Sequence, residues 1–139
     1  MRHIVLISCT KRKLPYAAPA EDLYNSTLFR FSLAYARKLR PDVVYVLSAK
    51  HGLVGLQQVI EPYEQTLKNM TRPERKEWSQ NVLRQLASGS DLSRDRFTIL
   101  AGHAYYEGLV SHLSNHSLPL ERLGQGRRLQ FLKRQLQAP

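Results

Sequence analysis

Residues 3–13 read His3-Ile4-Val5-Leu6-Ile7-Ser8-Cys9-Thr10-Lys11-Arg12-Lys13. Four continuous apolar residues, three of them β-branched or leucine-flanked, suit a parallel strand buried on both faces. The run stops at a hydroxyl, a thiol and a basic loop. Two later segments repeat the pattern. Val43–Leu47 is followed by Ser48-Ala49-Lys50-His51-Gly52, and Phe97–Ala101 by Gly102-His103. In an open α/β sheet the ligand site lies outside the carboxyl ends of the strands. Three strands that each end in polar, reactive residues therefore predict one convergent pocket, rich in cationic groups and holding a thiol.

The segments between these runs are helical in pattern. Asn25 or Ser26 is a good N-cap, and Leu28, Phe31, Tyr35 and Leu39 recur on one stripe before Pro41 ends the helix. Thr71-Arg72-Pro73-Glu74 is a capping box. It opens a helix to about Ala87 with Trp78, Val82 and Leu86 on one face and Gly89 beyond its end. A third helix is expected from Gly102 to about Leu113. A last one follows Leu123-Gly124-Gln125-Gly126, with Leu129, Leu132 and Leu136 inward. Val59–Tyr63 reads as a short or irregular strand because of Pro62, and Leu118–Leu120 as a fourth main strand. Strand–helix–strand order gives right-handed parallel crossovers. The expected architecture is a single α/β domain over residues 1–139, a three-layer sandwich around a mainly parallel sheet of about four strands.

The chain has 139 residues and a formal net charge of +10. Residues 1–50 hold nine Lys/Arg against three acids, residues 51–100 seven against six, and residues 101–139 five against two. A basic surface on so small a domain draws a polyanion through counterion release, which points to DNA or RNA as partner. No apolar run reaches the roughly 20 residues of a membrane helix. One cysteine excludes an internal disulfide framework. With no signal-peptide cleavage pattern near the start, the expected location is the cytoplasm.

Within the predicted pocket, Cys9 is either a buried cysteine closing the strand or a pocket-lining thiol, with covalent attack the third possibility. Lys11 and Lys13 sit beside it as anion clamps or amines. Lys50 suits a phosphate, and His51 moves a proton near neutral pH. Ser48 supplies a hydroxyl, and Gly52 lets backbone approach a ligand. Glu61 is a candidate partner for Lys50 or a general base, and Tyr63 or Tyr105 a stacking surface for a base. Gly102-His103 begins a helix whose N–H groups suit an anion. Gly124, Gly126, Arg127 and Arg128 combine loop glycines with two guanidiniums, again suited to phosphate. His112 and His116 have helical metal spacing but no third ligand, and a Cys-rich zinc site needs more than one cysteine. No metal and no cofactor are expected.

Ile7–Lys13, Asp22-Leu23-Tyr24, Leu47–Leu53, Ile60-Glu61-Pro62-Tyr63, Ala101–Tyr106 and Leu123–Gly126 together resemble a compact bacterial domain family of unknown function related to the YaaA-like peroxide-stress proteins. That resemblance spans nearly the whole chain. It implies DNA binding linked to oxidative damage and adds Ser8 and Tyr24 to the site residues. Cys9, Lys13, Pro15 and Tyr16, with Leu14 between lysine and proline, are similar to the Cys-x-x-x-Lys-Pro-Tyr signature of archaeosine synthases, which modify a deazaguanine base. Both resemblances imply a nucleobase or nucleotide ligand. The expected function is nucleic-acid binding with a base-sized pocket, acting on a base or glycosidic bond. The alternatives are a non-catalytic binding module and an enzyme on a free phosphorylated metabolite.

Overall fold

A computed structural model of the protein describes residues 1–138. Along the chain the elements are β1 (His3–Ser8), β2 (Ala18–Pro19), α1 (Ala20–Leu23), α2 (Thr27–Lys38), β3 (Val43–Ser48), β4 (Gly52–Gly55) and β5 (Val59–Ile60). A 3-10 turn, Leu67–Asn69, precedes α3 (Arg72–Ala87). Then come β6 (Arg96–Leu100), α4 (His103–Tyr106), a second 3-10 turn at Val110–His112, β7 (Asn115–Ser117) and α5 (Gln125–Gln137).

β1 is the central strand. Ile4 stands opposite Val43 on one side and Phe97 on the other, and Ile7 opposite Val46 and Leu100. The four residues Ile4–Ile7 are buried as the apolar run requires. The main sheet has the order β4-β3-β1-β6-β7, and all of it is parallel except β4. From β1 the chain moves through α2 to β3 on one side. It then returns through α3 to β6 on the other. Right-handed crossovers in opposite directions place α2 and α3 on opposite faces of the sheet. α5 packs beside α2, where Tyr35 and Phe131 meet edge to face at 5.9 Å. The result is the expected three-layer α/β sandwich.

Five strands form the sheet rather than about four, for two local reasons. The extra one, β4, folds straight back on β3, pairing Ser48 with Gly52 and Tyr45 with Gly55. Gly52 has φ +74°, the left-handed conformation that glycine adopts without steric cost. A Cβ there would also sit 2.5 Å from Gln85 Oε1, which accepts the Leu53 N–H at 2.8 Å. At the other edge the strand is Asn115–Ser117, not Leu118–Leu120. An outermost strand needs only a backbone ladder, so polar residues serve. Leu120 is buried in the core instead. The expected strand at 59–63 shortens to β5, which pairs with β2 in a separate two-stranded sheet.

The helices follow their caps. Ser26 Oγ accepts the Phe29 N–H at 3.1 Å, so Ser26 rather than Asn25 starts α2. The Thr71–Glu74 capping box is formed in both directions. The buried stripe of α2 is Phe29, Ser32, Leu33 and Ala36, one position away from the expected Leu28, Phe31, Tyr35 and Leu39. Those four are half-buried because the helix is covered on two sides, by the sheet and by α5. The third helix stops after four residues. Gly108 lies so close to α3 that a Cβ would stand 2.3 Å from Ser79 Oγ, and the chain bends there. His112 and His116 consequently fall on a 3-10 turn and on β7, not on one helix face. Among the described residues no helix is long and apolar enough to cross a membrane.

His3 ties β1 to β6 at the amino edge of the sheet. Its Nε2 lies 2.7 Å from Thr98 Oγ1, and its Nδ1 3.0 Å from Arg96 Nη2. A guanidinium can only donate, so Nδ1 accepts and Nε2 carries the hydrogen. Burial, aided by Arg96 and opposed by Asp42, holds the imidazole pKa below 6.5. The unfolded chain therefore takes up the proton first as pH falls, and this interaction loses stability below about pH 6.5. Thermal melts at about pH 7 and pH 5 are expected to differ less for His3→Gln than for the native chain. An equal pH response in both would contradict the assignment.

Candidate functional site

Adjacent strands β1 and β6 end side by side, with β3 on the far side of β1, and the chain leaves them in opposite directions, from β1 to β3 and from β6 to β7. That is the switch point at which α/β proteins bind ligands. Cys9 extends β1 by one residue, its N–H donating to Leu47 O at 2.9 Å. It is buried, with Sγ 3.3 Å from Tyr105 OH. Tyr105 comes from the turn after β6, so all three segments do meet at one rim.

The end of β3 is organised by Ser48, which is fully buried. Its Oγ accepts the N–H groups of Lys50 at 3.2 Å and His51 at 3.0 Å, closing the hairpin turn. The same hydroxyl donates to Tyr63 OH at 2.8 Å. Tyr63 is then left to donate to Tyr24 OH, 2.5 Å away. The Ser48 carbonyl accepts Trp78 Nε1–H at 2.9 Å. The indole in turn meets the Tyr105 ring edge-on at 5.6 Å. Thiol, three phenols, hydroxyl and indole thus form one buried polar floor to which the end of β1, the end of β3, α3 and α4 all contribute.

Lys13 lies across this floor. Its backbone bridges Tyr24, its Nζ stands 4.5 Å from the Tyr63 ring centroid, and it donates to Lys11 O at 3.2 Å. Burial pushes the Lys13 pKa down, against the pull of Cys9 and Glu64. Burial pushes Tyr24 up to about 12, and raises Tyr63 and Tyr105 as well. All three phenols therefore stay protonated at neutral pH. His51 packs edge-on against Tyr63 at 5.7 Å. Burial and then the Lys50 charge lower its pKa, so its imidazole is neutral at neutral pH and free to accept a proton.

The expected residues sort into three groups. Cys9, Lys13, Tyr24, Ser48, Lys50, His51, Tyr63 and Tyr105 form the rim and floor, with Gly52 behind the turn. Lys11 is exposed and contributes its carbonyl. Ser8 and Arg128 line a neighbouring crevice with Thr10 and Leu28. The Arg128 Nε donates to Leu123 O at 2.8 Å, and a Cβ on Gly102 would lie 3.2 Å from its Nη2. Gly102 is thus the residue that makes room for this guanidinium. The third group stands apart. His103 is exposed and pairs with Glu107 at 3.1 Å. Gly124 and Gly126 are exposed, with open space where a side chain would be.

Three expected roles need correction. Tyr63 and Tyr105 are only 8% and 9% exposed, with their hydroxyls engaged, so neither offers a ring face to a base. Glu61 is exposed and, among the described residues, makes no ion pair with Lys50. Arg127 lines a groove along α5 rather than joining Lys50 at the rim. Successive helix residues diverge by about 100°, and it is Arg128 that turns toward Gly102.

The sequence reading missed two contributors. Trp78 was read as core alone, although a buried indole N–H asks for a partner. Gln85 secures β4. Tyr16, which the archaeosine-synthase likeness already singles out, is 61% exposed three residues beyond Lys13.

Fold and site together define a doubly wound α/β protein with a polar, thiol-containing cluster at its switch point. The chain belongs to a family of unknown function, DUF6884, whose family model matches residues 4–134. Comparison with curated proteins and with solved structures found no match.

Proposed function

We propose that the protein binds nucleic acid in the cytoplasm and receives a nucleobase or nucleotide at the rim between β1 and β3. The observation that carries this reading is that a half-buried ammonium, Lys13, and a neutral imidazole, His51, both pack against the Tyr63 ring, at 4.5 Å and 5.7 Å from its centroid. An ammonium donates to a base carbonyl, and a neutral imidazole accepts from a base N–H or takes a proton. The exposed Tyr16 ring, three residues after Lys13 in the same loop, offers a stacking face to a base. The buried Cys9, held on Tyr105, fits a supporting role in the floor and favours recognition or acid–base chemistry over covalent attack. In the catalytic form of this reading, Lys13 and His51 act on a base or glycosidic bond. A single free thiol is in keeping with a reducing compartment.

Titration of the ¹⁵N-labelled protein with nucleobases, nucleosides and 5′-mononucleotides tests the reading. Amide shifts are expected in residues 9–16 and 48–52, and His51→Ala is expected to weaken them. Shifts confined to other regions, or none, would remove the proposal. Equal shifts from any phosphorylated sugar without a base would move it to the small-metabolite alternative. Release of a base from an oligonucleotide, lost in His51→Ala with binding retained, distinguishes enzyme from binder.

A further inference from the structure

We infer that the helix layer formed by α2 and α5 is the surface on which a nucleic-acid strand lies, through its phosphate backbone. The inference rests on the nucleic-acid reading above but concerns a different face of the molecule.

The positive charge is not spread evenly over the two helical layers. α2 and α5 together carry seven Lys/Arg and no acidic residue. α3, on the opposite face, mixes Arg72, Arg75, Lys76 and Arg84 with Glu74 and Glu77. Of the seven, Lys38 is occupied in capping α5 through the carbonyls of Gln135 and Ala138, and Arg37 pairs with Glu21 at 3.0 Å. Arg30, Arg127, Lys133 and Arg134 are exposed and, among the described residues, have no acidic partner. So many like charges on two packed helices repel one another, and an external polyanion relieves that repulsion.

The geometry fits phosphates more closely than other anions. Arg127, Gln130, Phe131 and Arg134 fall at i, i+3, i+4 and i+7 on one side of α5, and line a continuous groove with Leu123 and Gln135. Two guanidiniums about 10 Å apart along the axis, with a glutamine between them, present donors at intervals to a repeating backbone. A membrane is a poorer partner. Its binding needs an exposed apolar face, and Phe131 is half-buried against Tyr35. The groove also leads somewhere. At its amino end α5 carries Arg128 against Gly102, next to the strand ends. A strand lying along α5 therefore arrives at the rim where the base is read.

The test is fluorescence anisotropy with a labelled single-stranded oligonucleotide of about 20 nucleotides, measured over a range of salt. The double variant R127Q/R134Q is expected to bind at least tenfold more weakly at low salt. Its slope of log affinity against log salt should fall by about 1.4, the release from two single-strand phosphates. R72Q/R84Q on α3 should stay within about twofold of the native chain. All four side chains are exposed, and a thermal melt confirms that each variant is folded. Native affinity in R127Q/R134Q, an equal loss in the α3 variant, or no oligonucleotide binding by the native chain at low salt would each overturn the inference. Mononucleotide binding at the rim is a separate readout. Its presence without oligonucleotide docking on α5 removes this inference and keeps the proposed function. Docking on α5 without a base at the rim keeps this inference and the nucleic-acid partner and removes only the base pocket.

Discussion

Trp78→Ala is expected to lower the free energy of unfolding by about 3–5 kcal/mol, the range for deleting a large buried aromatic side chain. Trp78 is buried, reaches from α3 across to the end of β3, and fills the space beside Tyr105. Its loss opens a cavity under the site and also leaves the Ser48 carbonyl without its indole donor. Small domains have only about 5–15 kcal/mol to lose, so the variant should be close to the margin of folding. Trp78→Phe separates the two contributions. It keeps most of the packing and removes the hydrogen bond, for a loss of about 1–3 kcal/mol. Urea unfolding followed by circular dichroism gives both numbers. A Trp78→Ala midpoint equal to that of the native chain would mean that the indole does not support the floor.

Lys13→Met is expected to weaken mononucleotide binding at least tenfold while leaving the fold intact. Methionine keeps the unbranched stem over the Tyr63 ring and deletes only the charge and its donors. The ammonium is partly desolvated, as its lowered pKa records. Removing it relieves a burial cost and forfeits a cation–π contact of about 1 kcal/mol, so stability should change little. Affinity should respond, because this is the cation standing over the polar floor. The pH dependence has a definite sign. The depressed pKa means the proton leaves Lys13 below the ordinary lysine value of 10.5. Native binding should therefore decline on the alkaline side, and the Lys13→Met variant should lack that decline. Calorimetric titration at neutral and alkaline pH measures both. Unchanged affinity in the variant would take Lys13 out of the site.

The central strands were legible because Ile4–Ile7 is apolar without interruption and Phe97–Leu100 is broken only by Thr98, a pattern that suits strands covered on both faces. The outer strands were not. β4 contains two glycines in four residues, and β7 is Asn115-His116-Ser117. β4 is too short and glycine-bounded for its one fully buried side chain, Val54, to make a readable alternation, and β7 is polar and held by its neighbour's backbone. The same division runs through the site. The chain order of strand, turn and helix was enough to bring Cys9, Ser48 and the segment after Gly102, through Tyr105, to one rim. Which way a side chain points there was not readable from spacing alone. Tyr63 and Tyr105 turn inward because their hydroxyls complete the network around Ser48 and Cys9. Arg128 rather than Arg127 meets Gly102, a choice fixed by how α5 rotates against α2.

The shortness of β4 and β7 has a further consequence. Each sheet margin offers a ladder of only four or three residues, one of them bounded by glycines. A neighbouring molecule has too little exposed backbone to extend the sheet in register. Copies brought to high local concentration therefore have little edge through which to seed cross-β association.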